Sequence, residues 1–353
     1  MKQIWWKQFP HALSYTQGVT SSLQQERSVI IQYSSDMPWP EELLSIVSDS
    51  VRASNSYKSL ERVSGTVSGP GEYLLRKYCK EEKRADYCPT VSYARFLAEN
   101  DDIVLHERYI WATISTFEEL DAWTRFVVEY LDVRKKRAKA VFVLEWKGEV
   151  KAKKYKGFDY YSFDDSINEY DRVAFATLAS SSLSALKNDL TMQDYLTELA
   201  ANVAGADIEL CAKCLVFYQE FLQSPYRTVV RIVKNDCRSE EKNFVFPKTE
   251  EHVRYDVWRA QIKIVYPLLE EYRKGFVEQY SKQIKGLLPR TSPFGEVYEK
   301  PEDVELGTLA YLADTGQLSL TKFERDKLIA YKDARNTLSH LGVLSLNEIK
   351  KLK

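Results

Sequence analysis

The sequence predicts an α/β N-terminal domain, mainly a parallel and doubly wound sheet, followed by an all-α C-terminal region. Three observations carry this reading. Through the first half, short β-branched or apolar runs alternate with helix-length segments, the pattern of strands joined by crossovers. The run Lys139-Ala140-Val141-Phe142-Val143-Leu144-Glu145-Trp146 is apolar almost throughout, as a strand covered on both faces must be. From Tyr195 onward the only sustained hydrophobic period is that of a helix.

With 353 residues the chain exceeds one ordinary domain. The pattern divides it into an α/β domain over 1–190, a helical extension over 191–248 and a helical domain over 249–353. Its 44% hydrophobic and 29% charged residues fit an ordinary globular composition. Fifty basic against 51 acidic residues exclude a strong overall pull towards nucleic acid. No apolar run is long enough for a membrane span, and the first residues lack a secretory signal, so a cytoplasmic location is expected. Five scattered cysteines argue against a disulfide framework. Cys211 and Cys214 form a C-x-x-C within a helical pattern, where two small buried residues explain them better than a metal.

In order, Ser28–Tyr33 reads as a buried strand. Residues 41–51 follow as a helix with acids in its first turn. A second short strand is expected at 60–63, then a helix over 72–78, then an extended segment within 102–114. Thr116 with Glu119 three residues later has capping-box spacing and opens the next helix. The apolar strand at 139–146 comes next, with a further strand at 158–163 and a helix over 171–186. Arg134 to Lys139, and the lysines from Lys151 to Lys156, are dense basic stretches that read as solvated loops beside strands.

This order of segments resembles a P-loop ATPase of the AAA or STAND kind over roughly the first half. The resemblance makes Ser28–Tyr33 the first strand and places Glu145 in the acidic strand that normally binds magnesium. The phosphate loop itself is missing. Ser34-Ser35-Asp36-Met37-Pro38-Trp39 has no glycine run and no lysine, and Pro38 and Pro40 remove two amides. Gly65 to Gly71 is the only other Gly-rich strand-to-helix turn, and it too lacks the lysine. A degenerate, non-hydrolysing ATPase-like domain is therefore expected, with no cofactor and no metal. It would offer a surface to a protein partner, and nucleotide binding at 65–71 is a further alternative.

The helical half begins with the stripe Tyr195, Leu196, Leu199, Ala200 and Val203, stopped by Gly205. A helix over 208–222, closed by Pro225, comes before an irregular charged stretch at 235–248. Residues 251–287 form one long helix or two stacked ones, with Pro267 as kink or join. A short helix over 301–312 starts at Pro301, and a long one over 321–341 comes before a last one opened by Ser345. In the long helix Ala334, Leu338 and Leu341 make a stripe for the core, which places Asn336 and His340 on roughly the opposite side and Arg335 between the two faces. The other histidines, His11, His106 and His252, have no ligand-spaced neighbours and read as structural.

An all-helical unit whose last long helix carries Arg335-Asn336 and, after four intervening residues, His340 resembles the HEPN superfamily. That resemblance implies metal-independent RNA cleavage at a site shared by a homodimer of C-terminal helices. His340 would move the proton, Arg335 would stabilise phosphate charge, and Asn336 would orient one or the other. Joined to a degenerate ATPase-like domain, it also resembles components of bacterial antiviral or toxin systems. The alternative is a non-catalytic assembly subunit in which Arg335 pairs with Asp333 or with an acid on a neighbouring helix, Glu305 among them, and both halves bind protein.

Overall fold

The computed structural model describes residues 1–33, 37–64, 69–135, 137–148, 155–163, 168–181, 183, 186, 189–291 and 295–352. The chain forms two compact units, Met1–Asp171 and Arg172–Lys353.

In the first unit, α1 (Lys2–Gln8) and α2 (Pro10–Gln24) come before β1 (Ser28–Tyr33), and α3 (Pro40–Ser54) leads to β2 (Ser59–Ser64). Three helices, α4 (Pro70–Tyr78), α5 (Glu81–Arg84) and α6 (Tyr93–Glu99), then lead to β3 (Arg108–Ile114). Next, α7 (Phe117–Val133) crosses to β4 (Val141–Lys147), and β5 (Phe158–Ser162) completes the sheet. The order is β2-β3-β4-β1-β5 and every pairing is parallel. The expected parallel sheet is present, and the run 139–146 supplies its middle strand. The extended segment within 102–114 starts later than the sequence suggested, because Val104–Glu107 winds into a 3-10 turn first.

Side-chain alternation assigns the two faces. Ile30, Ile110, Ala112, Phe142 and Leu144 join one apolar core with residues of α4, α6 and α7. The intervening positions, Val29, Ile31, Trp111, Val143 and Glu145, belong to the other face, and α1, α2 and α3 pack together as a separate group. Helices thus cover both faces, which is why β1 and β4 read as nearly continuous apolar runs. Thr116 caps α7 by accepting the Glu119 amide at 3.1 Å, as its spacing required. From α7, Trp123, Phe126 and Tyr130 surround the Phe142 ring at centroid distances of 6.4, 6.2 and 5.6 Å.

The second unit is almost wholly helical. The helix α8 (Glu169–Ser180) carries the unit boundary in its first turn, and α9 (Leu190–Ala204) ends at Gly205 with φ +60. The expected helix at 208–222 is broken at Phe217 into α10 (Ile208–Val216) and α11 (Tyr218–Gln223). Pro225 does not merely close it. It opens α12 (Pro225–Asn235), at a first-turn position where its missing N–H costs no helical bond. Residues 251–287 form three segments, α13 (Glu250–Ile264), α14 (Tyr266–Gln279) and α15 (Ser281–Lys285), with Pro267 in the first turn of α14. A small antiparallel pair, β6 (Arg290–Thr291) and β7 (Val297–Tyr298), interrupts the all-α region. Its two-residue strands are too short to leave a period in the sequence.

Pro301 starts only a 3-10 turn, closed by the Asp303 carboxylate accepting the Lys300 amide at 2.9 Å. The helix expected there begins later, as α16 (Leu306–Asp314) with Glu305 at its N-cap. A Thr321–Glu324 capping box opens α17 (Lys322–Ser339), and α18 (Leu346–Lys350) has the same device at Ser345 and Glu348. None of the helices among the described residues is long and apolar enough to cross a membrane.

Because Phe142 sits fully buried between three rings on the middle strand, Phe142→Ala leaves a cavity the sheet cannot close. Equilibrium urea unfolding should show the variant less stable by about 3–5 kcal/mol.

Candidate functional site

In the α/β unit a phosphate site would have to be built between β1 and α3. Residues 34–36 lie outside the described residues, but the rest of this turn turns inward. Met37 and Trp39 are buried, and Trp39 is the N-cap of α3 at φ 44. The Trp6 indole N–H donates to the carbonyls of Pro38 (3.0 Å) and Trp39 (3.2 Å). Trp6 is itself fully buried among Tyr15 and Phe163. Pro38 and Pro40 have no amide to offer an anion.

Glu145, which the resemblance puts in a magnesium-binding strand, does not fit that role. Its buried carboxylate accepts from the Trp111 indole (2.6 Å), the Tyr33 hydroxyl (3.1 Å) and the Thr113 hydroxyl (3.5 Å). Three neutral donors from two flanking strands satisfy the charge inside the sheet, leaving it closed to a hydrated cation. Among the described residues no group of three or more His, Cys, Asp or Glu side chains is placed to hold a metal.

The other sequence signals resolve structurally. Residues 65–68 lie outside the described residues. Gly69 supplies the φ +82 needed ahead of α4, and a Cβ on Gly71 would meet Tyr93 at 2.5 Å. In the basic stretch, Lys136 and residues 151–154 lie outside the described residues. Arg134 is buried and donates to the carbonyls of Ala138 and Ala98 and to Asp101, while Lys135 pairs with Asp132. Cys211 and Cys214 are buried on α10, and burial pushes the Cys211 thiol up to about 12 and Cys214 higher than its usual range. Neither supplies a thiolate near neutral pH.

The remaining histidines are structural. His106 bridges the Tyr130 hydroxyl (2.6 Å) and the Asn100 carbonyl (2.7 Å), and burial lowers its pKa. His252 closes the capping box of α13 with Thr249, and His11 meets Asp171 at 2.8 Å.

The helical unit brings Arg335, Asn336 and His340 together. All three line one open cleft of about 760 Å³, with Glu305, Arg290 and Tyr311 among its other walls. Arg335 donates from Nη2 to Glu305 at 3.0 Å, the acid the sequence suggested, and reaches Asn336 Oδ1 from Nη1 at 3.4 Å. Its Nε has no hydrogen-bond partner among the described residues. His340 is exposed to the cleft rather than sealed in the core.

Two details depart from the expected helix. The helix α17 ends at Ser339, so His340 is its C-cap, at φ −101 and ψ 27, not a residue of its last turn. Leu341, expected on the core stripe beside Ala334 and Leu338, takes φ +59 and is 64% exposed. The Gly342 amide donates to Thr337 (2.8 Å) and the Leu341 amide to Leu338 (3.3 Å), which is a Schellman closure. Leu344, three residues further on, turns back into the core in place of Leu341.

Arg290, Tyr298 and Tyr311 were not legible as site residues. The first two lie in a Pro- and Gly-bounded stretch that reads as loop. Tyr311 alone left a trace, as an aromatic among the buried Leu309, Ala310, Leu312 and Ala313 that is itself 54% exposed.

No family model matches the sequence, and no curated protein matches it. Several solved structures overlap with it. The E. coli MS115-1 HORMA:CdnC:Trip13 complex does so at 15% identity and a TM-score of 0.33, over 69% of this chain and 84% of that one. Rhizobiales Trip13 has 13% identity and a TM-score of 0.31, over 65% and 84%. ORC2 of Aeropyrum pernix, as ADPNP-ADP complexes, has 11% identity and a TM-score of 0.34, over 96% and 82%. These are AAA+ ATPase-like folds, and none is named a HEPN protein. At such TM-scores the overlaps carry no function across, and the site has to be read from this chain's own residues.

The cleft is held from behind. The Trp258 indole donates to the Leu338 carbonyl at 2.8 Å, at the end of α17. Gln261, fully buried on α13, clasps the backbone of Leu344, donating to its carbonyl and accepting its amide, both at 2.8 Å. Tyr272 stacks on Tyr331 at 3.7 Å, which fixes the middle of α17. Beside the cleft, Leu341 carries backbone strain, because a branched side chain there adopts a left-handed conformation that glycine takes freely. Leu341→Gly should therefore raise stability by about 1 kcal/mol in urea unfolding without moving the cleft residues.

Proposed function

We propose that this chain is a non-hydrolysing assembly subunit, whose ATPase-like α/β unit works by protein contact rather than by nucleotide turnover. The observation that carries this reading is the turn ahead of α3, where Pro38 and Pro40 stand in place of amides that an anion would need, and where Trp6 ties the turn inward through the Pro38 and Trp39 carbonyls. The inward-capped Glu145 and the near-zero net charge of −1 agree with it. Self-association through the C-terminal helices belongs to the same proposal. A nucleotide bound at 100 times its Kd would add about 2.7 kcal/mol of stability, enough to move a melting curve by several degrees. Melting with millimolar MgATP or MgGTP should show no shift, and a shift of several degrees would reject the reading.

A second reading is favoured by the convergence of Arg335, Asn336 and His340 on one open cleft. It is metal-independent cleavage of RNA. The His340 imidazole would take the proton of a ribose 2′-hydroxyl, whose oxygen bonds to the neighbouring phosphorus. The bond to the 5′-oxygen breaks, the proton passes to that leaving oxygen, and a 2′,3′-cyclic phosphate remains. The Nη1 group of Arg335, which reaches Asn336 Oδ1 at 3.4 Å, is not committed to Glu305 and would meet the phosphate oxygens, with Asn336 beside it. On this reading His340→Ala abolishes cleavage of single-stranded RNA in EDTA while stability stays within about 0.5 kcal/mol, as for an exposed side chain. Unchanged cleavage would remove His340 from the chemistry.

A further inference from the structure

We infer that the cleft accommodates a nucleotide unit whose base stacks on Tyr311, with Arg290 pairing with its phosphate. This rests on the second reading of the same site and adds residues that reading does not contain. Tyr311 is more than half exposed although its neighbours on α16 are buried, so its ring is presented to the cleft at the expense of water contact. The Arg290 guanidinium lies over that ring, 5.5 Å from its centroid, and Gln317 holds one of its ends by a 2.8 Å hydrogen bond. With the guanidinium over one face of the ring, a flat base would stack on the opposite face while the guanidinium meets the anionic phosphate, the two halves of a nucleotide. The volume of about 760 Å³ falls in the range that holds a small organic ligand. Two glutamates, Glu296 and Glu305, also line the walls, but Glu305 is already paired with Arg335, so a phosphate beside Arg290 does not face that charge unscreened. The nucleotide unit could belong to a single strand or be free.

The test uses the full-length chain in EDTA, with a fluorescein-labelled single-stranded 12-mer RNA and its DNA counterpart read by anisotropy, and AMP as competitor. Tyr311→Ala should weaken RNA binding about tenfold or more, whereas Tyr311→Phe, which keeps the stacking face, should bind as wild type does. Arg290→Ala should weaken binding and reduce the salt slope by about one. AMP displacing the strand with an affinity equal to the strand's own would identify a free nucleotide as the ligand. Displacement only at far higher concentration would identify the strand. Wild-type binding that Tyr311→Ala leaves unaltered, or no binding by the wild type, overturns the inference. Cleavage is scored on the same samples: binding with no cleavage sinks the nuclease reading and leaves the stacking site standing. Melting curves of each variant separate loss of binding from loss of fold.

Discussion

Gln261 has no access to water, and the helical unit is arranged so that its amide is not left unpaired. One nitrogen and one oxygen reach Leu344 in both directions, and the Tyr195 hydroxyl takes a further contact at 3.1 Å. An unmatched amide at that depth would cost about 1–3 kcal/mol, so the backbone at 344 is held in one place relative to α13. With Trp258 bound to the Leu338 carbonyl, two positions on either side of His340 are anchored to a single helix. The loop between them is tied at both ends, and the position of the cleft residues is set by side chains that do not line it.

The α/β unit obeys the same rule and arrives at a different result. The Trp123 and Trp146 indole N–H groups have no hydrogen-bond partner among the described residues, but the polar groups where a phosphate-binding turn would stand find theirs in the chain itself. Trp6 reaches across from α1 to take the carbonyls ahead of α3, and Glu145 is surrounded by a tyrosine, a tryptophan and a threonine. The parallel sheet follows from its hydrophobic alternation. An anion-binding turn depends on backbone amides, and among the described residues ahead of α3 Pro38 and Pro40 have none.

Much of this architecture could be read from residue patterns, because patterns of period two and 3.6 report burial directly. The strands at Ser28–Tyr33 and 139–146, the cap at Thr116 and the stop at Gly205 are local signals with local causes. The ends of helices were read less well. Leu341 continues the 3.6 period, so the sequence extends α17 through it. What ends the helix is the closure by Gly342, a backbone event that leaves no hydrophobic mark. Pro225 and Pro301 gave the same difficulty, since a proline both stops one helix and suits the first turn of another. Of the cleft, the trio on α17 was visible as a motif, and Glu305 as an acid among apolar neighbours. Arg290 and Tyr298 were not, because a pair of two-residue strands brings them there from a stretch without a period.

The left-handed turn at Leu341 leaves a bare isobutyl group one residue from the imidazole of His340. Any surface that settled on that leucine to escape water would lay a low-dielectric wall against the ring at the same time.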